Sequence, residues 1–195
     1  MALALPDWPY PAALVPRLVS GRAGLRPAWG GDVQRLNRGG SHYAVEVSLP
    51  VQTYADAQKW SAIDSENETV TLQMVQPGLD TGAPGAPKVK GASQSGSSIL
   101  LDGLTAAYPI RRRQWLSIST GGRLYLYRAK AEAVTATNGE VTVQLETMLR
   151  VSPADNDVVE LAAPRIEGFA TVPEDAWAID TAGQVALSFT IEERG

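Results

Sequence analysis

Apolar and polar residues alternate along several short stretches of this chain, which is the pattern of strands with one buried face. Residues 43–49 alternate in this way and end at Pro50. Residues 70–74 carry a shorter version of the pattern, the tail resumes with the mostly apolar residues 158–161, and residues 185–191 alternate strictly. The patterning therefore predicts a mainly β protein with strands at both ends of the fold.

The densest strand pattern lies between residues 115 and 149. Residues 115–120, 123–137 and 140–149 are three candidate strands, separated by Gly121-Gly122 and Asn138-Gly139. Both dipeptides suit the positive φ angles of type I′ turns. We therefore expect an antiparallel meander of three strands.

One helix is predicted at about residues 53–65. Thr53 can cap its first turn, with Asp56 three positions on as in a capping box. Tyr54, Ala57 and Trp60 then recur at helical spacing. The expected packing is a single helix laid on a sheet.

Proline and glycine punctuate the remaining segments. Residues 77–98 contain both and no catalytic candidate, so we predict a long ordered loop. The first 37 residues are rich in Pro, Gly, Trp and Arg, which predicts an N-terminal arm or edge strands. Residues 38–195 are predicted to form a single β-rich domain.

The composition excludes several classes of function. The 195 residues include no cysteine, which removes disulfides, thiolate nucleophiles and cysteine-based metal sites. A net charge of −4 provides no general field for binding a polyanion. The first residues lack the pattern of a signal peptide, and no stretch approaches the length of a membrane span. We expect an aqueous compartment and no membrane contact.

Candidate catalytic groups are few. His42 is the only histidine, and an edge histidine is the favoured interpretation. The sequence around Ser93 lacks the second glycine of a nucleophile elbow, and Asp155-Asn156-Asp157 lacks the glycine and glutamate of an EF-hand loop. Sequence spacing cannot select a carboxylate pair for glycoside hydrolysis. No enzyme activity, cofactor or metal is predicted.

Two aromatic and basic clusters leave alternatives open. Arg111-Arg112-Arg113 with nearby Trp115 can form a phosphate-binding patch with a stacking aromatic ring. We favour the other interpretations, a charged entry to a strand or an interface with a neighbour's carboxylates. Tyr125 and Tyr127 share one strand face and can form a sugar platform, although core or interface packing is the favoured interpretation.

Three local strings resemble distal tail proteins and related minor tail proteins of phages with long, non-contractile tails. The first is Gly85-x-Pro87-x-Val89-x-Gly91-Ala92-x-Gln94-x-Gly96 followed by Ile99-Leu100-x-x-Gly103. The second and third are residues 143–150 and 187–193, and a helix containing Trp60 also fits. The sequence departs from the family at residues 112–115, where Gly-Asp is common, and the N-terminal arm has no match.

The resemblance implies an antiparallel β-sandwich or split barrel with one helix. It also implies a structural virion protein whose copies, six in the family, close into a ring at the tail tip. The implied partners are other copies of the chain, the tail tube protein and the hub proteins, with assembly in the host cytoplasm and no nucleic acid contact beyond the ring's lumen.

We predict that the interface residues lie in the long loop and the arginine segment. They are Pro87, Val89, Gln94, Arg111, Arg112, Arg113 and Trp115. The alternative function is a carbohydrate-binding β-sandwich that uses Tyr125 and Tyr127, and the least favoured is a glycan hydrolase with an unrecognised carboxylate pair.

Overall fold

The computed structural model describes residues 2–21, 23–25, 29–32, 34–36 and 40–194. The first strands of the described chain are β1 (Leu3–Ala4), β2 (Ala13–Val19), β3 (Ala23–Leu25), β4 (Gln34–Leu36), β5 (His42–Ser48), β6 (Gln52–Thr53) and β7 (Val70–Gln73). They are followed by β8 (Gly85–Val89), β9 (Ser98–Leu104), β10 (Pro109–Ile110), β11 (Trp115–Thr120), β12 (Arg123–Arg128), β13 (Ala133–Val134) and β14 (Val141–Gln144). The last are β15 (Val158–Glu160), β16 (Arg165–Thr171), β17 (Gln184–Val185) and β18 (Ser188–Glu193).

Two six-stranded sheets form the body of the protein. The first has the order β1-β7-β16-β18-β5-β2, and its pairings are antiparallel except that of β1 with β7. The second has the antiparallel order β12-β11-β15-β8-β9-β14 and curls until an isolated bridge from Ala129 to Leu145 joins its two edges at one end. The predicted fold class, a mainly β sandwich or split barrel, is confirmed.

Each sheet has its own hydrophobic core. Along β11, Leu116 and Ile118 point into the curl of the second sheet, where they are fully buried with Val143 and Leu161. Trp115, on the opposite face of β11, joins the core of the first sheet. Side chains on the two faces of β11 thus pack in the two cores, which explains why all residues from 115 to 118 are buried.

The predicted helix is present but differs in type. Only Tyr54–Ala57 is α-helical, and Gln58–Asp64 continues as a 3-10 helix. The side chain of Thr53 caps the first turn by accepting from the amide of Asp56, as predicted. The buried residues Ala57, Trp60 and Ile63 recur every three positions, which matches the three residues per turn of a 3-10 helix. No helix among the described residues is long and apolar enough to cross a membrane.

The segment predicted as a long loop, residues 77–98, contains strand β8. Pro87 falls in a bulge between Gly85 and Lys88, where its missing N–H leaves no ladder bond unmade. A Cβ on Gly85 would lie 2.7 Å from the carbonyl oxygen of Gly103. Glycine at this position therefore lets the two backbones approach, and the prediction of a loop is corrected here.

The predicted meander holds in full for its first hairpin, whereas only an isolated bridge from Ala129 to Leu145 joins the second and third predicted strands. β11 pairs with β12 across Gly121-Gly122, but β14 pairs with β9. The turn at Asn138-Gly139 forms, with Gly139 at a φ of +80°. A Cβ on Gly139 would lie 2.8 Å from the carbonyl oxygen of Leu104, the last residue of β9, so the turn packs against β9 and directs β14 to that strand.

A hairpin extends the ladder between β2 and β5. The ladder ends with Val19 opposite His42, and the chain then pairs β3 with β4 as a separate two-stranded ribbon. We call residues 20–41 the arm, which is a different segment from the N-terminal arm, residues 1–37, expected from the sequence. Its tip includes Trp29, whose side chain is 98% exposed, and Gly30 with a φ of +81°.

Candidate functional site

A cavity of about 340 Å³ opens between the two sheets and is rich in charged side chains. Glu167 of β16 and Glu193 of β18 border it from the first sheet, and Arg123 of β12 borders it from the second. Arg150 and Arg194 complete its charged lining. Two carboxylates and three guanidinium groups thus border one cavity.

Glu193 forms a buried ion pair with Arg150. The Nη2 atom of Arg150 lies 2.5 Å from Oε1 of Glu193, and the two side chains are only 5% and 1% exposed. Glu193 also accepts from the amides of Leu126 and Tyr43, both at 2.8 Å. Burial raises the pKa of Glu193, while the Arg150 guanidinium and the two amides oppose that rise. The Glu193 carboxylate thus links β18 to β5 in the first sheet and to β12 in the second sheet.

Glu167 makes similar contacts from the neighbouring strand, β16. Its Oε2 accepts from the amide of Leu124 at 2.8 Å, and its Oε1 accepts from the hydroxyl of Thr69 at 3.0 Å. β12 is an edge strand of the second sheet, so some of its backbone amides have no partner within the sheet. Glu167 and Glu193 accept hydrogen bonds from these amides. Both carboxylates bordering the cavity are therefore engaged in holding the sheets together.

Sequence reasoning missed this ion pair, although the pattern of β18 contains a sign of it. Phe189, Ile191 and Glu193 occupy the inward positions of one alternating strand. A carboxylate on an apolar face requires a buried partner. The partner, Arg150, is 43 residues away, and nothing in the sequence selects it.

The tyrosines considered as a sugar platform lie against Arg150. Tyr127 is buried, its hydroxyl accepts from the amide of Arg150, and its pKa is raised by burial. Tyr125 is partly buried, with the Arg150 guanidinium 5.2 Å from its ring centre. Tyr43 is also buried, which raises its pKa to about 12 despite nearby Arg128. Tyr127 therefore has no ring face open to a sugar.

The other chemical candidates have structural partners. His42 lies between the carbonyl of Gly40 and the carboxylate of Glu192. Asp155 accepts from the amide of Gly91, and Asp157 accepts from the hydroxyl of Thr120. Among the described residues, no three His, Asp or Glu side chains come together as a metal-ligand set.

The predicted interface residues fall into two groups. The first is internal: Pro87 and Val89 are buried in β8, and Trp115 is buried beneath Arg128, whose guanidinium lies 4.8 Å from its ring centre. Gln94 belongs with them, because its side chain bonds the backbone of Lys90, Gly91 and Leu100 and fixes the turn between β8 and β9.

The second group is the arginine turn, Arg111, Arg112 and Arg113, which lies between β10 and β11 and is exposed. Gln114 holds this turn with its side-chain oxygen, which accepts from the amide of Arg111. Arg112 and Arg113 border a shallow groove of about 290 Å³ with Pro77 and Leu79. Among the described residues, no hydrogen bond joins the arginine turn to Gln94 or Val89.

A larger groove was not foreseen from the sequence. Its volume is about 430 Å³, and we call it the proline groove; it is lined by Trp8, Pro9, Pro50, Val51, Gln52, Thr53, Asp56, Lys59 and Gln184. Trp8 and Tyr10 form an edge-to-face pair with ring centres 5.3 Å apart beside it. Both polar atoms of the Gln52 side chain are buried and have no hydrogen-bond partner among the described residues.

The chain was compared with protein-family models and with curated proteins. No family model matches it, and no curated protein is similar to it.

Proposed function

We propose that this protein is a structural component of a phage tail tip, where copies of the chain, six in the family it resembles, close into a ring between the tail tube and the hub. The resemblance of residues 85–103, 143–150 and 187–193 to distal tail proteins supports this function. A curled antiparallel sheet packed on a second sheet is compatible with it.

The arm is the observation that carries the proposal. Isolated two-stranded hairpins are marginally stable in water, and within the described residues β3 and β4 pair only with each other. Among the side chains that the structure describes, neither core of the body contains a residue of the arm. The exposed side chain of Trp29 at the tip of this ribbon is best explained by a binding surface on another molecule.

A second copy is the simplest molecule to supply that surface. If each copy gives its arm to the next and receives one in turn, the contact is heterologous, and such contacts generate closed rings or filaments. A carbohydrate-binding function has no comparable support, because Tyr127 of the proposed platform is buried.

The test is the native mass of the purified protein, measured by light scattering, with negative-stain images of the same sample. We expect particles of about six 20.8 kDa chains with a central lumen. The matched control replaces residues 20–41 with Asn-Gly, which can close the ladder between Val19 and His42 as a two-residue hairpin. That variant should fold and remain monomeric. A wild-type chain that stays monomeric at high concentration and with purified tail tubes contradicts the proposal.

The arginine turn provides a second test of assembly. Replacing Arg111, Arg112 and Arg113 with serine should weaken the ring or its binding to the tail tube, because none of the three has an ion-pair partner among the described residues. The urea midpoint should stay unchanged, since all three side chains are exposed. Unchanged assembly would remove the arginine turn from the interface.

A further inference from the structure

Each carboxylate that borders the cavity between the two sheets already has hydrogen-bond partners within the protein. Oε2 of Glu193 accepts from the amide of Tyr43, and Oε1 accepts from the amide of Leu126 and the guanidinium of Arg150. Both oxygens of Glu167 accept as well, one from an amide and one from a hydroxyl. Every carboxylate oxygen around the cavity thus accepts at least one hydrogen bond from the chain itself.

Arg150 and Glu193 border the cavity as a neutral pair. Their side chains are almost fully buried, and the Arg150 guanidinium also donates to the carbonyl of Arg194. The ring centres of Tyr125 and Tyr127 lie 5.2 and 5.6 Å from the same guanidinium. Arg150 is therefore fixed by contacts within the protein, and any unbalanced charge at the cavity comes from its other ionisable residues.

Arg123 brings an unpaired charge from the second sheet. It is exposed, borders the cavity and has no ion-pair partner among the described residues. Arg123 and Tyr125 are two positions apart in β12, so their side chains lie on the same face of that strand. Because the ring of Tyr125 packs against Arg150, this face is the one directed toward the cavity.

Arg194 brings a second unpaired charge from the first sheet. It directly follows β18, borders the cavity and has no ion-pair partner in the part of the chain that the structure describes. Its guanidinium lies 4.5 Å from the ring centre of Phe169. Phe169 shares a face of β16 with Glu167, two positions away, and Glu167 also borders the cavity. The contact with Phe169 thus keeps the Arg194 charge beside the cavity.

The lining of the cavity favours a small monovalent anion. Three guanidinium groups and two carboxylates give it a charge of +1, although the whole chain carries −4. Glu167 has no cationic partner among the described residues, and it repels a doubly charged anion more strongly than a singly charged one. Leu124, Tyr125 and Val151 add apolar surface. A carboxylate with an apolar body matches this lining, and the volume of about 340 Å³ limits it to a small one.

We propose that the cavity binds a singly charged carboxylate with a small apolar body, held between Arg123 of the second sheet and Arg194 of the first. Since the two arginines come from different sheets, the bound carboxylate joins the sheets and stabilises the folded body. The carboxylate can belong to a free small acid or to an acidic side chain of a neighbouring protein. The inference does not depend on ring formation, because every residue that it names belongs to one copy.

The first test is a calorimetric titration of the purified protein with phenylacetate, in a buffer free of carboxylates and phosphate. Phenylacetamide, which has the same shape without the charge, is the control ligand. We expect a dissociation constant of about 1 mM or tighter for the acid and no detectable binding of the amide. Absence of binding at about 10 mM phenylacetate, or equal binding of the acid and the amide, overturns the inference.

Substitution of the two arginines tests which charges hold the ligand. Arg123→Gln and Arg194→Gln should each raise the dissociation constant of phenylacetate at least about 5-fold, because each removes a charge-assisted hydrogen bond. Both side chains are exposed, so the urea midpoints should stay unchanged. Arg112→Gln is the matched control, since it makes the same charge change at an exposed arginine of the arginine turn. Equal weakening by Arg112→Gln overturns the site, because general electrostatic attraction would then explain the binding.

Filling the cavity tests where the ligand lies. Val151 is 40% exposed and borders the cavity, so Val151→Trp should obstruct the cavity while it keeps both arginines. We expect the dissociation constant of phenylacetate to rise at least about 10-fold. Val158→Trp is the control, because Val158 is exposed and does not border the cavity. Unchanged binding by Val151→Trp overturns the assignment to this cavity.

Two further ligands test the chemical class and the source of the carboxylate. Inorganic phosphate should bind more weakly than phenylacetate, and tighter binding of phosphate overturns the assigned class. The α-amide of N-acetylglutamate carries only the side-chain carboxylate of a protein glutamate. Tighter binding of this compound than of phenylacetate supports the site with a neighbouring protein's side chain as its ligand, and the reverse order supports it with a free acid.

Discussion

The ion pair between Arg150 and Glu193 gives a direct test of how the two sheets are held together. Glu193→Gln keeps the size of the side chain but leaves the guanidinium of Arg150 buried without a counter-charge. It also places an amide N–H₂ opposite one of the two backbone amides, of Tyr43 or Leu126, that now donate to the carboxylate. We expect this substitution to be strongly destabilising.

The magnitude follows from the burial of both side chains, which are 5% and 1% exposed. Removing one partner of a buried pair costs about 3–5 kcal/mol in the free energy of unfolding, because the other charge is left uncompensated. Combining Glu193→Gln with Arg150→Met removes the stranded charge as well. The double variant should therefore recover at least about 2 kcal/mol relative to the sum of the two single losses.

Arg150→Met should show a distinctive pH dependence. Burial already raises the pKa of Glu193, and loss of the guanidinium raises it further. Between the unfolded value, about 4.3, and the raised folded value, the native state binds more protons than the unfolded state. The stability of Arg150→Met should then fall as the pH rises through this window and be highest below it.

Urea unfolding followed by tryptophan fluorescence measures these effects, at one fixed chain concentration because assembly also stabilises the folded state. Arg17→Gln is the matched control, since Arg17 and Glu192 are exposed and 3.8 Å apart, and it should cost less than about 0.5 kcal/mol. A loss below about 1 kcal/mol for Glu193→Gln, or additive single losses, would refute the reasoning.

Three further substitutions test the packing by the same urea assay. Gly168→Ala should cost about 3 kcal/mol or prevent folding, because a Cβ there would lie 2.1 Å from the carbonyl oxygen of Glu192, whereas Gly122→Ala should cost about 1 kcal/mol from its positive φ alone. Gln94→Ala should cost about 1–3 kcal/mol by leaving the amide of Leu100 unpaired, and an unchanged midpoint would contradict its structural role. Leu116→Ala, in the second core, should cost about 2–5 kcal/mol, against less than about 1 kcal/mol for exposed Val158→Ala.

Local patterns in the sequence predicted local structure well. The alternation at residues 43–49 corresponds to β5, and Thr53 caps the helical segment as expected. The 3-10 geometry of this segment could not be predicted from the sequence. A spacing of three at Ala57, Trp60 and Ile63 is compatible with either helix type in a short segment.

Local sequence patterns could not predict which distant strands pair. Val143 pairs with Ile99, 44 residues earlier, although a hairpin turn directly precedes β14. Arg150 pairs with Glu193 because the two sheets pack together, and neither residue has a sequence neighbour that indicates this. The groove at Gln52 likewise arises from three separate segments.

The position of β18 has a consequence for how this domain is made. β18 is the last strand of the described chain, yet it lies in the middle of the first sheet, between β16 and β5. During synthesis β5 and β16 therefore leave the ribosome before β18, with their facing edges unpaired. The amides of Tyr43 and Leu126 also lack their acceptor until Glu193 has been added. The first sheet can be completed only after synthesis of residue 193, and until then these open edges can pair with the edges of other chains.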